Sequence, residues 1–426
     1  MKTWTTTALA LIAATGLAAP ASAVDLEFYF PVAVGGDAAG IIERLTQDYM
    51  DENPGVTIDA IYTGSYADTT TRAITAARGG NPPHLAILLS VDMFAMIDED
   101  IVEPWDPYLT EQEIEEWIGG FYPAFLRNSQ FEGQTWGIPF QRSTPVMYWN
   151  KEAFEAAGLD PERPPETWDE MVEMGRTLTV RDEAGNVTQW GVRIPSSGFP
   201  SWLFTGLVAS AGQDGLASDD GTEVFFDTPE VLEALEYLVS LSTEHGIMQP
   251  GIIDWGATPR AFMDGESAIA WTTTGNLANI RANAPFEFGV AMLPANVRRG
   301  APTGGGNFYL FSGHSEEETR AAIDFVKWAT APEQAARWSI ETGYVAPRPD
   351  TWETEAMRAY AAEVPGAVVA RDQLEFAVPE LATWEGPRIT QILNDNIQAA
   401  IVGDKTPAQA LADAQREADA ILAAYR

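Results

Sequence analysis

The chain contains no cysteine, so a disulfide framework, a thiolate metal site and a lipid-modified cysteine anchor are all excluded. Histidine is nearly as scarce. His84, His245 and His314 are the only three, and they share no motif spacing for a metal or for a nucleophile–base pair. Basic residues are few, 25 Lys and Arg against 62 Asp and Glu, for a net charge of −37. That balance excludes a nucleic-acid face or an anionic-lipid surface. An anionic ligand would need a local pocket rich in N–H groups or cations to overcome the field. No Gly-x-Ser-x-Gly elbow, Walker A loop or Gly-x-Gly-x-x-Gly turn occurs. Gly304-Gly305-Gly306 precedes a strand pattern, where glycines serve close backbone approach better than phosphate cradling. Asp92, Asp264 and Glu266 can be nominated as a glycosidase pair, but among 62 acids any such choice is arbitrary. Enzyme chemistry is therefore disfavoured, and no catalytic residue, cofactor or metal is expected.

Long hydrophobic runs are missing too. The longest, Ala8–Ala19, is shorter than the roughly 18–20 apolar residues of a spanning helix. With Lys2 before it and Ala21-Ser22-Ala23 after it, residues 1–23 read as a secretory leader cut near Ala23, and the compartment as periplasmic.

What the chain does have is a globular balance, 46 % hydrophobic and 20 % charged, with 14 Trp. Flat amphipathic rings in such number suit either a large core or a ligand cleft. Val24–Phe30 alternates as a first strand, and Ile41, Ile42, Leu45 and Tyr49 share one face of a following helix. Val56–Tyr62, a helix over Asp68–Arg78, and Leu85–Leu89 complete a β-α-β-α-β unit, which implies a parallel sheet with ligands at its carboxyl end. Tyr66 and Ser90 fall just past two strand ends. A helix is expected over Glu111–Leu126.

The stretch Trp136–Trp168 then carries an apolar strand interrupted by polar Gln141–Thr144. Such a break fits a crossing between lobes or a ligand floor. A second α/β unit follows, with an aromatic loop Ser196–Trp202 and a hydroxyl run Thr272–Thr274. The last eighty residues read as mainly helical, ending in a helix from Thr406 to Tyr425.

Several of these stretches resemble the extracellular solute-binding proteins of ABC importers. They are Glu52-Asn53-Pro54, Tyr62–Tyr66, Gly80-Asn81-Pro82, Phe140–Lys151 with Gly158–Pro161 and Pro164–Trp168, Gly275–Arg281, Thr342–Tyr344 and Gly403–Pro407. The likeness is greatest to the glycerol-3-phosphate-binding branch. It implies an α/β fold of two lobes (the type II arrangement), each a mostly parallel sheet flanked by helices, closing on a small polar solute such as glycerol-3-phosphate or a glycerophosphodiester. Residues 24–140 with 294–345 would form lobe 1, and 141–293 with 346–426 lobe 2. The implied partners are transmembrane permease subunits, with the protein itself a monomer.

Residue by residue, the resemblance places Tyr66, Ser143, Gly305 and Tyr344 on ligand-contacting positions of unchanged type. Thr273 stands for a family Ser. Trp202 matches a family Trp, whereas Phe199 replaces another. Two departures concern charge. Ser90 stands where the family has a Glu, and Thr390 where it has an Arg, with Arg388 two residues away as a substitute. Arg142, in place of a Ser, offers a fork suited to phosphate; its alternative role is a salt bridge across the hinge. These changes leave two rivals standing: the same fold holding a neutral sugar or oligosaccharide, and a secreted carbohydrate-active enzyme.

Overall fold

Strand β1 (Val24–Phe30) forms because alternate residues can leave water together: Leu26, Phe28 and Phe30 are buried while Asp25 is exposed. In the computed structural model, which describes residues 23–426, it pairs in parallel with β2 (Val56–Tyr62) and β3 (Leu85–Leu89). The expected leader falls outside the described residues except for Ala23. Helix Ala38–Glu52 returns the chain with Ile41, Ile42, Leu45 and Tyr49 inward. Helix Tyr66–Arg78 starts two residues earlier than the pattern suggests, because Ser65 and Asp68 form a reciprocal capping box.

After β4 (Val102–Glu103) and a small hairpin of β5 (Gln130–Phe131) and β6 (Gln134–Thr135), the chain forms β7 (Gly137–Ser143), buried along its whole length. It then leaves for the second sheet, built from β8 (Pro145–Asn150), β9 (Val180–Arg181), β10 (Val187–Arg193), β11 (Ser267–Thr273) and β12 (Phe288–Ala291), in the order β12-β8-β11-β10-β9. Next come β13 (Ala301–Pro302) and β14 (Gly304–Phe311), and much later β15 (Ala377–Val378), which pairs with β13. β14 joins the first sheet antiparallel to β3 on one side and to β7 and β4 on the other. Both sheets are thus mixed, where mostly parallel ones are expected. The physical reason is the crossing: a strand arriving from the other lobe enters its sheet from the opposite end.

Separate cores hold the two lobes. One groups Phe28, Phe308, Phe325 and Trp338 with the first sheet, and another groups Met147, Phe204, Leu235 and Trp271 with the second. Ile389, Leu393, Leu411 and Leu422 from the carboxyl-terminal helices Gly386–Ile401 and Pro407–Leu422 join the second core. Each such fully buried Leu or Phe contributes about 1.5–3 kcal/mol. Phe199 packs against both cores.

The helix expected over Glu111–Leu126 is broken. Glu111–Glu113 runs into a wide turn over Ile114–Ile118, and regular helix resumes only at Pro123–Leu126. Gly119, Gly120 and Pro123 interrupt the hydrogen-bond ladder there.

Candidate functional site

The lobes meet over a space of two connected parts. An inner cavity of about 100 Å³ opens on a groove of about 980 Å³, and the two share Tyr66, Leu89, Phe199, Trp255 and Thr390 among their linings. Three helices of twelve or more residues begin here, at Tyr66, Pro200 and Gly386, and their first turns line the space. Their positive dipole ends therefore lie at the cleft, although Pro200 and Pro387 carry no N–H and the Ser201 and Asp68 N–H groups already meet Asn394 Oδ1 and Ser65 Oγ.

Tyr66 is held by its helix start and donates its phenol to Gln141 Oε1 at 2.6 Å. Burial and the neighbouring Tyr344 push the Tyr66 phenol well above its ordinary value, and burial does the same to Tyr344. Both rings thus stay neutral hydroxyl carriers. Tyr344 follows Gly343, whose φ of 101° ends the preceding helix in a left-handed turn. Ser143 closes β7. Thr273 closes β11, and its Oγ1 accepts the Gly275 N–H at 3.1 Å.

Gly305, at φ 93°, sits beside the register shift between β14 and β7, and a Cβ there would lie 1.8 Å from the Gln141 carbonyl oxygen. Only glycine fits.

The second lobe supplies an aromatic wall. Trp202 donates its indole N–H to the Thr303 carbonyl at 2.6 Å and lies so close over Gly304 that a Cβ there would meet the ring at 2.6 Å. Trp255 stands edge-on to Phe199 and Trp202, with ring centroids 5.0 and 5.9 Å away. Its N–H reaches the Ala33 carbonyl of the first lobe at 3.2 Å, and the Gly35 N–H meets Asn276 Oδ1 at 3.1 Å. These two bonds tie the lobes across the mouth.

Tyr66, Ser143, Phe199, Trp202, Thr273, Gly305 and Tyr344 all line the inner cavity. Ser90, Arg142 and Arg388 do not. Arg388 is exposed on the first turn of its helix, and Thr390 takes the cleft-facing place. Arg142 is fully buried: its guanidinium donates to Glu380 Oε1 at 2.9 Å, to Thr303 Oγ1 and Asn307 Oδ1 at 3.2 Å, and to the Gly305 carbonyl at 3.3 Å. It also covers the Phe125 ring at 5.0 Å. The fork meets a carboxylate of the protein itself, so the salt-bridge role prevails over the anion-facing one in this geometry. Ser90, also buried, donates to the same Glu380 oxygen at 2.8 Å.

Glu380 escapes sequence reading because it is one acid among 62, in a loop (Pro379-Glu380-Leu381) with no periodicity. Burial raises its carboxyl above the ordinary value, while Arg142, Ser90 and Thr303 draw it back. Trp255 is equally hidden, a single Trp in an irregular loop. Asp92, buried at the groove and accepting from Thr70 Oγ1 at 2.9 Å, is raised by burial to about 6. No Lys, Arg or His lines either part of the cleft among the described residues; Glu380, Asp92 and Asp254 do.

Two of the scattered histidines do come together. His84 and His314 stack at 3.8 Å with Glu318 beside them, at the far end of β3. His84 Nδ1 accepts the Glu27 N–H at 2.9 Å and so leaves the ring proton on Nε2, which closes that nitrogen to a metal.

A two-lobed α/β protein with its polar and aromatic side chains gathered between the lobes is built to enclose a small solute. The chain belongs to the bacterial extracellular solute-binding protein family, whose model matches residues 44–365, and is the solute-binding component of an ABC importer. Its relatives include the sn-glycerol-3-phosphate-binding periplasmic protein UgpB of Salmonella typhimurium, 29 % identical over 88 % of each chain. The protein of that name from Escherichia coli (strain 536) is 28 % identical over 99 % of this chain and 98 % of its own. Among solved structures, UgpB from Mycobacterium tuberculosis in complex with glycerophosphocholine superposes with a TM-score of 0.82 at 24 % identity, covering 95 % of this chain and 99 % of that one. Maltose-bound MalE3 of T. maritima gives 0.81 at 20 % identity, covering 94 % and 100 %. These two likenesses speak for the fold. No described helix is long and apolar enough to cross a membrane.

Proposed function

We propose that the protein captures a glycerophosphodiester in the cleft and delivers it to the membrane permease. The observation that carries this reading is the make-up of the lining: helix amino-termini and hydroxyls without any basic side chain among the described residues. A diester carries one negative charge spread over two oxygens, which hydroxyl donors beside helix dipole ends can meet. The doubly charged glycerol-3-phosphate would face Asp92 and Asp254, and a Glu380 whose charge Arg142 already meets, with no cation in the lining left for it. A zwitterionic diester such as glycerophosphocholine suits the acidic, aromatic groove best, since an ammonium group gains from ring faces and nearby carboxylates. The ligand of the Mycobacterium tuberculosis protein is of this substrate class, while the relatives are named for glycerol-3-phosphate, which shares its glycerol end.

In this reading Tyr66, Ser143, Thr273, Gly305 and Tyr344 hold the polar part of the solute, and Phe199, Trp202 and Trp255 cover it. Lobe 1 comprises 24–140 with 294–345, and lobe 2 comprises 141–293 with 346–426. They close by bending where the chain passes between the sheets, near Thr144 and Thr303, both past the bounds at 140 and 293, and the solute favours the closed form by touching both lobes. The leader, cut near Ala23, sends the chain to the periplasm, where it acts as a monomer without turnover of its solute. A neutral sugar is the second reading, favoured by the same lack of cationic side chains in the lining.

Calorimetric titration of glycerophosphocholine, glycerol-3-phosphate, maltose and mannobiose tests this. Glycerophosphocholine should bind most tightly and be recovered unchanged. Binding of a sugar with no response to either phosphate ester would overturn it.

A further inference from the structure

Among the described residues, Glu380 is the one charged side chain that lines the inner cavity. Its two oxygens have different fates. Oε1 accepts three hydrogen bonds, from Ser90 Oγ at 2.8 Å, Arg142 at 2.9 Å and Thr303 Oγ1 at 3.0 Å. Oε2 accepts none from any described residue, yet it is not among the buried polar atoms that lack a partner. The carboxylate is thus clamped by one edge on the first lobe (Ser90) and on both crossing strands, leaving the other edge free, and its residue lines both the inner cavity and a second space of about 380 Å³ beside Asn128 and Pro379. Its backbone is fixed as well, the Glu380 N–H donating to Asn128 Oδ1 at 3.2 Å.

A carboxylate already paired with a buried guanidinium carries little excess charge to recruit a cation. It remains a strong, directional acceptor, stronger than a neutral carbonyl by the usual margin of charge-assisted bonds. Hydroxyl groups are the donors that fit such an oxygen without bringing in charge. We propose that Glu380 determines the specificity of the cleft, its Oε2 accepting hydrogen bonds from hydroxyl groups of the bound solute. For a glycerophosphodiester these are the two hydroxyls of the glycerol. The proposal rests on the reading of the cleft as the solute site, and it assigns the end of the solute that enters the inner cavity.

The test is calorimetric titration of wild type and Glu380→Gln with glycerophosphocholine and with its propyl analogue, which lacks both hydroxyls. Wild type should prefer the diol by about 10–100-fold, the range of a charge-assisted hydrogen bond. In Glu380→Gln the preference should shrink to about 3-fold or less, with the propyl analogue bound about as well as by wild type. An undiminished preference in Glu380→Gln overturns the assignment. Should that variant fail to fold, the double variant Arg142→Met with Glu380→Leu removes the pair as a unit, which proteins tolerate better than a lone buried ion. It should show the same loss of preference, and a preference kept in it overturns the proposal. If wild type binds neither compound, the glycerophosphodiester reading fails instead. Glu380 is then judged on whichever sugar of the panel binds, against its deoxy analogues.

Discussion

Removing the Arg142 guanidinium tests the buried polar network directly. In Arg142→Met the stem keeps its bulk, but Glu380 loses the cation paired with it while its carboxylate stays largely sealed from bulk water, the side chain being 5 % exposed. Breaking one partner of such a pair costs about 3–5 kcal/mol, a large share of the 5–15 kcal/mol that holds a typical domain. Unfolding entropy near 2.1 cal/mol/K per residue over roughly 400 residues gives about 0.85 kcal/mol/K, so the melting temperature should fall by roughly 4–6 °C if the chain melts as one unit. The loss should ease as pH is lowered. Burial already raises the Glu380 carboxyl, and without Arg142 only the Ser90 and Thr303 hydroxyls oppose that rise. A group raised in the folded state gives stability that is full below its unfolded value and is lost as pH climbs through the folded one. Calorimetric melting from pH 4 to 8 reads both effects. A variant melting within 1 °C of wild type at pH 7.5, or one whose deficit grows toward acid pH, would refute the reasoning. The control adds Glu380→Leu to Arg142→Met in the same chain. It should recover most of the lost stability, since only the pair removed together leaves no orphan charge.

Three further outcomes are expected. Asp92→Asn should match wild type near pH 4 and exceed it by up to about 3 kcal/mol above pH 6, because Asp92 is raised from 3.8 to about 6 and each unit is worth about 1.36 kcal/mol; denaturant titration across that range measures it. Gly305→Ala should prevent normal folding or cost more than about 3 kcal/mol, since it combines positive φ with a Cβ driven into the Gln141 carbonyl; circular dichroism and melting decide it. Trp255→Phe keeps the ring edge but removes the N–H that meets Ala33, and should weaken solute affinity by about 3–10-fold with unchanged melting of the unliganded protein; an unaltered affinity would show that this bond does not favour closure.

Much of the fold can be read from the chain because it rests on local regularity. The period-2 pattern of β1, the single apolar face of Ala38–Glu52 and the Thr406-Pro407 start of the last helix each need only neighbours in sequence. Strand direction is less legible, since β14 pairs with residues far away in the chain, Gly305 with Arg142 for instance. The cleft divides in the same way. Tyr66 stands just past a strand end and Ser143 in the polar break of an apolar strand, which the pattern itself points to, whereas Thr273, Gly305 and Tyr344 are marked by the resemblance to the family. Arg142 is visible as an unusual residue in a buried strand, but its partner Glu380 is 238 residues further on and follows no pattern. Without that partner a buried fork reads equally well as an anion site. Arg388 misleads for a smaller reason: a fraction of a helical turn separates outward from inward, and Thr390 faces in.

A structure determined after soaking or co-crystallisation with glycerophosphocholine tests the central claim most directly. The account predicts density for the solute between the lobes, touching Tyr66, Thr273 and Tyr344, with its glycerol end toward Glu380. A cleft left without solute at millimolar glycerophosphocholine, or solute bound outside it, would contradict the account.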